Sequence, residues 1–342
     1  MKASKYIISV LTFFIFIFIA VNVHSAMSGQ CSDCHTMHNS QDGQSVAYQL
    51  NAAFDDFEAN TTPNQYLLSS GCVGCHTSTG TSSIVNNVPI ILNTSSVVNP
   101  LAGGNFTYVR SDDLTGHNVV GVKAQDGTLG LTPPGGSIMS SQLTCGGEYG
   151  CHGDRTSGNN PFEGLKGAHH TDDSGGITGS SVGLSYRFLN GILGNEDSNW
   201  EQDNTNTSHN EYKGSTSSAT NTISYLCAQC HGNFHTWEGG GSEVGTSSPW
   251  LRHPTDVILP TDTPDSEYES YTSYSMVTPV ARPDSENVAD TTAVYPGTDI
   301  VMCLSCHRAH ASPYYKMVRW DYKNATLSTA ISGCSNCHTD KD

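Results

Sequence analysis

Twelve cysteines in this chain of 342 residues fall into six pairs, and histidine directly follows the second cysteine of every pair. Five pairs enclose two residues: Cys31 and Cys34 before His35, Cys72 and Cys75 before His76, Cys227 and Cys230 before His231, Cys303 and Cys306 before His307, and Cys334 and Cys337 before His338. The remaining pair, Cys145 and Cys151 before His152, encloses five. Two thioethers at the short spacing span the two vinyl positions on one porphyrin edge, and the adjacent imidazole swings under the ring to the iron. Zinc ribbons and disulfide frameworks also pair cysteines, but neither needs a histidine after the second one each time. The pattern therefore predicts six covalently bound haem c groups. At the irregular pair, Gly146, Gly147 and Gly150 let the loop bulge while both sulfurs still reach the porphyrin. A disulfide between Cys145 and Cys151 is the alternative there.

Lys2 and Lys5 precede an apolar run over residues 6–23 and then the small residues Ser25 and Ala26, which is the order of a secretory signal. The expected organisation is a signal peptide over 1–26 and a single cytochrome domain over 27–342. A retained membrane anchor is the alternative, because the run is nearly long enough to span. Export agrees with the cysteine usage, since haem is attached to thiols outside the reducing cytoplasm. The expected location is extracellular or at the outer cell surface, with the periplasm as the alternative. A formal charge of −17 disfavours nucleic acid and anionic membrane as partners, and no stable membrane insertion is expected after cleavage.

With 36% hydrophobic residues and 34 glycines, the polypeptide is poor in core-forming material. The stretch available to each motif is too short for each haem to own a protein core. The haems must share one interior, so the expected fold is mostly irregular and loop-rich, with short helices at the motifs, very few strands and a haem stack as core. Residues 77–82, 199–218 and 239–248 read as loops, pinned by ligand bonds where burial is insufficient. Residues 256–299 hold nine acidic residues and one basic residue, Arg282, and read as a solvated loop. Packing of Tyr268, Tyr271 and Tyr274 over porphyrin faces is the alternative. The alternation of Val318, Trp320 and Tyr322 with Arg319, Asp321 and Lys323 predicts one short strand.

Beyond the motif histidines and His24 of the signal, eight histidines remain: His38, His117, His169, His170, His209, His235, His253 and His310. Bis-histidine ligation of six irons leaves two to spare. His38 and His310 lie three residues after a motif histidine and His235 lies four after one. Two imidazoles at that spacing project from one face of a helical turn, so each of these reaches a haem other than its neighbour's. His117 and His253 lie in turns between motifs. The sixth place goes to His169 or His170, or less favourably to His209. Ligation by Met37, Met276, Met302 or Met317 is unnecessary with histidines in surplus.

The residues resemble a family, the extracellular hexahaem c-type cytochromes of the OmcS type, which polymerise into electron-conducting filaments. The words that carry it are Cys31-Ser32-Asp33-Cys34-His35-Thr36-Met37-His38, Gly116-His117-Asn118, Leu251-Arg252-His253-Pro254, Cys303-Leu304-Ser305-Cys306-His307-Arg308-Ala309-His310 and the ending from Cys334 through Cys337-His338 to Asp342. The resemblance implies six bis-histidine irons in a stacked chain and distal ligands at His117, His235, His253 and His310. It also implies that His38 reaches the haem at Cys303, Cys306 and His307 of the next copy, so that the chain is its own partner, a head-to-tail homopolymer. The third motif departs from the family pattern, which moves its missing distal histidine onto His169 or His170.

These readings converge on electron transfer without catalysis, to redox partners or extracellular acceptors. The competing readings are a periplasmic shuttle that never assembles and a multihaem reductase of a small oxyanion. The reductase needs one open iron, often marked by lysine in place of the motif histidine, and no Cys-Lys motif occurs. Intact mass of the denatured, reduced mature protein is expected to show six retained haems. Five haems with a reducible disulfide would restore the alternative at Cys145 and Cys151.

Overall fold

The computed structural model describes residues 30–51, 57–171, 175–203, 205–217, 219–235, 253–261, 267–285, 287–323, 326 and 333–339. The signal and the expected loop at 239–248 lie outside them. Five of the six cysteine pairs begin on short α-helices: Cys31–Cys34, Cys72–Cys75, Ile223–Ala228, Cys303–Cys306 and Cys334–Cys337. Cysteines three apart on such a turn share a face. The turns stay short because the histidine leaves helical geometry at once, with His35 and His307 in extended backbone at ψ 141° and 157°.

Between the motifs the backbone is mostly irregular, held by turns and two-residue strands. The largest sheet has five strands in the order Val257–Ile258, Ile300–Val301, Ala281–Arg282, Glu211–Lys213 and Gly194–Asn195. Its Glu211–Lys213 and Ala281–Arg282 pair is parallel and its other pairs are antiparallel. A small hairpin joins Ile84–Val85 to Val88–Pro89 through Asn86 and Asn87, both at positive φ, the geometry that matches strand twist in a two-residue loop.

Two of the expected loops contain strands. Thr77–Ser78 pairs with Leu92–Asn93, and Glu211–Lys213 lies inside the five-stranded sheet. Neither has an apolar alternation of its own, so it is the neighbouring chain that recruits it into a ladder. The described residues of 256–299 are not uniformly solvated. Tyr271 and Tyr274 are buried with Leu259, Val280, Val294 and Val301, and the Tyr271 hydroxyl donates to the Thr278 carbonyl at 2.5 Å. The expected strand at 318–322 is also absent: Val318 makes a single bridge to His307. Val318 and Arg319 are both buried, and Arg319 donates to the carbonyls of Leu304 and Met276. Contacts to carbonyls, not a two-residue period, place those side chains.

Apolar burial is divided among three small clusters, around Ile192, Tyr212 and Ile300, around Val109, Val122 and Ala311, and around Leu259, Tyr274 and Val280. Motif residues belong to each: Leu304 to the first, Val73 and Cys145 to the second, Cys337 to the third. Among the described residues, no helix is long and apolar enough to cross a membrane.

A buried charge network crosses the sheet. The Arg282 guanidinium bonds Glu211 at 3.0 Å and Asp299 at 3.1 Å, all three side chains being almost inaccessible. Burial pushes both carboxyl groups up and the guanidinium opposes it. Arg282→Leu is expected to strand two carboxylates and cost about 3–5 kcal/mol, read as a lower denaturant midpoint at neutral pH. An unchanged midpoint would mean that the three charges are not mutually dependent.

Candidate metal centres

Each motif closes in one way. The histidine amide donates back to the first cysteine carbonyl: His35 to Cys31 at 2.8 Å, His76 to Cys72 at 3.0 Å, His231 to Cys227 at 2.9 Å, His307 to Cys303 at 3.1 Å and His338 to Cys334 at 2.9 Å. The irregular motif makes the same bond, His152 to Cys145 at 3.0 Å, with the extra residues looped out. The loop is pinched so tightly that a Cβ on Gly150 would overlap the Gly146 backbone, and Gly147 has φ +77°. No disulfide joins any of the twelve cysteines.

The motif imidazoles are oriented by their Nδ1 atoms, which donate because a carbonyl can only accept. His35, His152 and His307 donate to Tyr66, Arg187 and Lys316 at 2.9, 2.9 and 3.0 Å. Each acceptor opens a pair of left-handed residues, Tyr66-Leu67, Arg187-Phe188 and Lys316-Met317, with φ between 47° and 58°. The second carbonyl of each pair accepts the amide that follows the motif histidine, from Thr36, Gly153 and Arg308. Every non-glycine residue held there costs about 1–2 kcal/mol, so the same device occurs three times against its own backbone strain. His76 and His231 donate instead to Pro89 and Pro134, both at 2.8 Å. Sequence reasoning missed these acceptors, which stand 31, 35 and 9 residues after the odd-numbered motifs. Two apolar residues after each acceptor, Leu67-Leu68, Phe188-Leu189 and Met317-Val318, are the one trace they leave.

With Nδ1 occupied, Nε2 is the free ligand atom. Two imidazoles on one iron need metal–nitrogen bonds of about 2.0–2.1 Å, and with each ring centre about 1.1 Å behind its nitrogen the centroids stand about 6.2–6.4 Å apart. Four pairs meet that spacing: His35 with His170 at 6.3 Å, and His231 with His117, His152 with His310 and His338 with His253, each at 6.2 Å. Burial, with neighbouring imidazoles adding to it, lowers His117 to about 4, His169 to about 4 and His310 to about 3. These rings are therefore neutral, with a lone pair available, near neutral pH. Gly103 makes room for one of them, since a Cβ there would stand 2.9 Å from His310 Nδ1.

The third motif therefore faces His310, and neither His169 nor His170. Those two sit on the 3-10 turn Ala168–His170, where successive side chains diverge by about 120°. His170 meets His35, while His76 is the foremost electrostatic neighbour of His169. His38 is exposed; among the described residues no imidazole stands at the 6.2–6.3 Å ring spacing from His38, His76 or His307. His235 is placed against Asp256, 2.5 Å from its carboxylate. His209 is buried, stacked on Tyr274 at 3.7 Å, with its ring nitrogens on the carbonyls of Asn210 and Thr291. Met302 is buried in the sheet cluster and Met37 is exposed.

Cysteines of successive motifs adjoin in sequence order. Cys34 lies by Cys75, Cys72 by Cys145, Cys151 by Cys230, Cys227 by Cys303, and Cys306 by Cys334 and Cys337. The six sites form one series. Among the described residues, no three His, Cys, Asp or Glu side chains converge as a zinc site requires. Two opposed imidazoles beside a cysteine pair suit a metal whose other ligands come from a porphyrin.

The family described as "Doubled CXXCH motif" matches residues 297–342. The C-type cytochrome OmcS of Geobacter sulfurreducens is 27% identical over 390 aligned positions, spanning 93% of this chain and 84% of that protein. Two solved structures from the same organism are similar in fold, an outer membrane cytochrome S filament (TM-score 0.52, 19% identity) and OmcS nanowires (TM-score 0.53, 20% identity). Each match covers 93% of this chain and all of the other. The CxxCH motifs are thus sites of covalent haem c attachment, in a loop-rich cytochrome fold.

Gly150→Ala is expected to open the pinched loop at Cys145 and Cys151 and lower the intact mass by one haem. Full retention would show that the loop tolerates a methyl group.

Proposed function

We propose that this chain, a multihaem electron carrier similar to OmcS, holds six haems c, each iron between two histidines, and joins copies head to tail into an extracellular filament. The observation that carries the reading is the recurrence of one ring spacing, 6.2–6.3 Å, at four motif histidines. When bound, haem supplies reversible one-electron chemistry. The chain's own residues orient and enclose it: His35 with His170, His76 with His169, His152 with His310, His231 with His117, and His338 with His253. His235, although expected as a ligand, is a spare in this arrangement, as is His209. No position is left open for a substrate, which argues against the reductase.

His307 and His38 complete the set between copies. His38 is exposed in a shallow cleft beside Met37 and Leu67, and both of these apolar side chains are exposed. A ligand given at one surface and received at another is a heterologous contact, which grows an open filament when the rotation does not close. The solved relatives are a filament and nanowires, which supports the same assembly here and an extracellular site of action.

His38→Ala is expected to keep six haems, yield monomers, and leave one high-spin iron per chain that binds carbon monoxide, while the parent protein binds almost none. Filaments of unchanged spectrum would place His38 within its own chain.

A further inference from the structure

The motif histidines differ in what accepts the Nδ1 proton. At five of them it is a backbone carbonyl. At His338 it is a carboxylate, Glu267 Oε1, at 2.7 Å. The contact is fixed from both sides, because Thr339, the next residue, donates its amide and its hydroxyl to the Glu267 carbonyl, each at 2.7 Å. Tyr268 packs its ring 5.0 Å from the imidazole, and only about a fifth of the His338 or the Glu267 side chain is accessible.

We propose that Glu267 is a positioning and tuning residue that makes the sixth site the lowest in reduction potential of the series, an inference that rests on the haem reading above. A hydrogen bond to an ionised acceptor is stronger than one to a neutral carbonyl. A carboxylate on the outer nitrogen of a ligating imidazole raises its basicity. A more basic imidazole, with a negative charge behind it, favours the oxidised iron over the reduced one. The site at one end of the series then accepts its electron last and rests oxidised while its neighbours are reduced.

Among the four sites whose two rings stand opposed, this one has its own spectroscopic signature. The planes of His253 and His338 cross at 88°, against 25°, 40° and 47° at the other three ring pairs. Crossed imidazoles leave two iron d orbitals nearly equal in energy, which produces a strongly anisotropic low-spin resonance that can be followed during a redox titration.

Glu267→Gln keeps the shape and an acceptor oxygen but removes the charge. In the full-length, haem-loaded protein, the potential of the strongly anisotropic signal is expected to rise by at least tenfold in its redox equilibrium, about 59 mV for one electron. The other sites should hold their values, and Glu267→Asp, which keeps the charge, should fall between variant and parent. A variant with six low-spin haems and unmoved potentials would overturn the inference alone, as would an equal shift at every site. Fewer than six haems, or a high-spin iron, in the parent filament would instead overturn the reading on which it rests.

Discussion

The hydrogen bond from imidazole Nδ1 to an oxygen of a distant loop settles more of this structure than any apolar contact. It selects the tautomer, aims Nε2, and ties each motif to a segment elsewhere in the chain. His231 reaches back 97 residues to Pro134, and His117 reaches 192 residues forward to Ala309. Because all six motif histidines make such a bond, a chain with little regular structure still has its loops stitched at defined points. The small hydrophobic clusters fill the space between those stitches.

Left-handed backbone is the strained counterpart of that arrangement. Among the adjacent non-glycine residues at positive φ, the pairs Tyr66-Leu67, Arg187-Phe188 and Lys316-Met317 each turn two successive carbonyls toward one motif. One accepts from the imidazole and the next from the following amide. The device recurs at the first, third and fifth motifs, while the second, fourth and sixth use different acceptors. The doubled-motif family matches residues 297–342, which hold the fifth and sixth motifs. The irregular third motif belongs to this scheme, for its long loop leaves the closing bond and the acceptor turn unchanged.

Charge is distributed by the same logic. The acidic stretch at 256–299 is neither uniformly solvated nor uniformly repelling. Asp299 pairs with buried Arg282, Asp256 meets His235, and Glu267 meets His338. Several acids that composition alone assigns to a surface face instead compensate a cation or an imidazole inside a chain of high net negative charge.

Cysteine spacing is a local covalent requirement, satisfied within one helical turn, so the attachment sites, the haem class and the loop-rich fold were legible in the residues themselves. So was the surplus of histidines, and the placing of His310 against the ring of a motif other than its neighbour's. Which imidazoles meet was not legible. His169 and His170 are indistinguishable by position, yet a 3-10 turn sends them to different neighbours, and His235 follows its motif as His310 does but ends on Asp256. The carbonyls that aim the rings left still less trace, because every residue carries one and its identity is unmarked in the side-chain code. Only folding brings one particular carbonyl, or at His338 one particular carboxylate, to within a hydrogen bond of the ring.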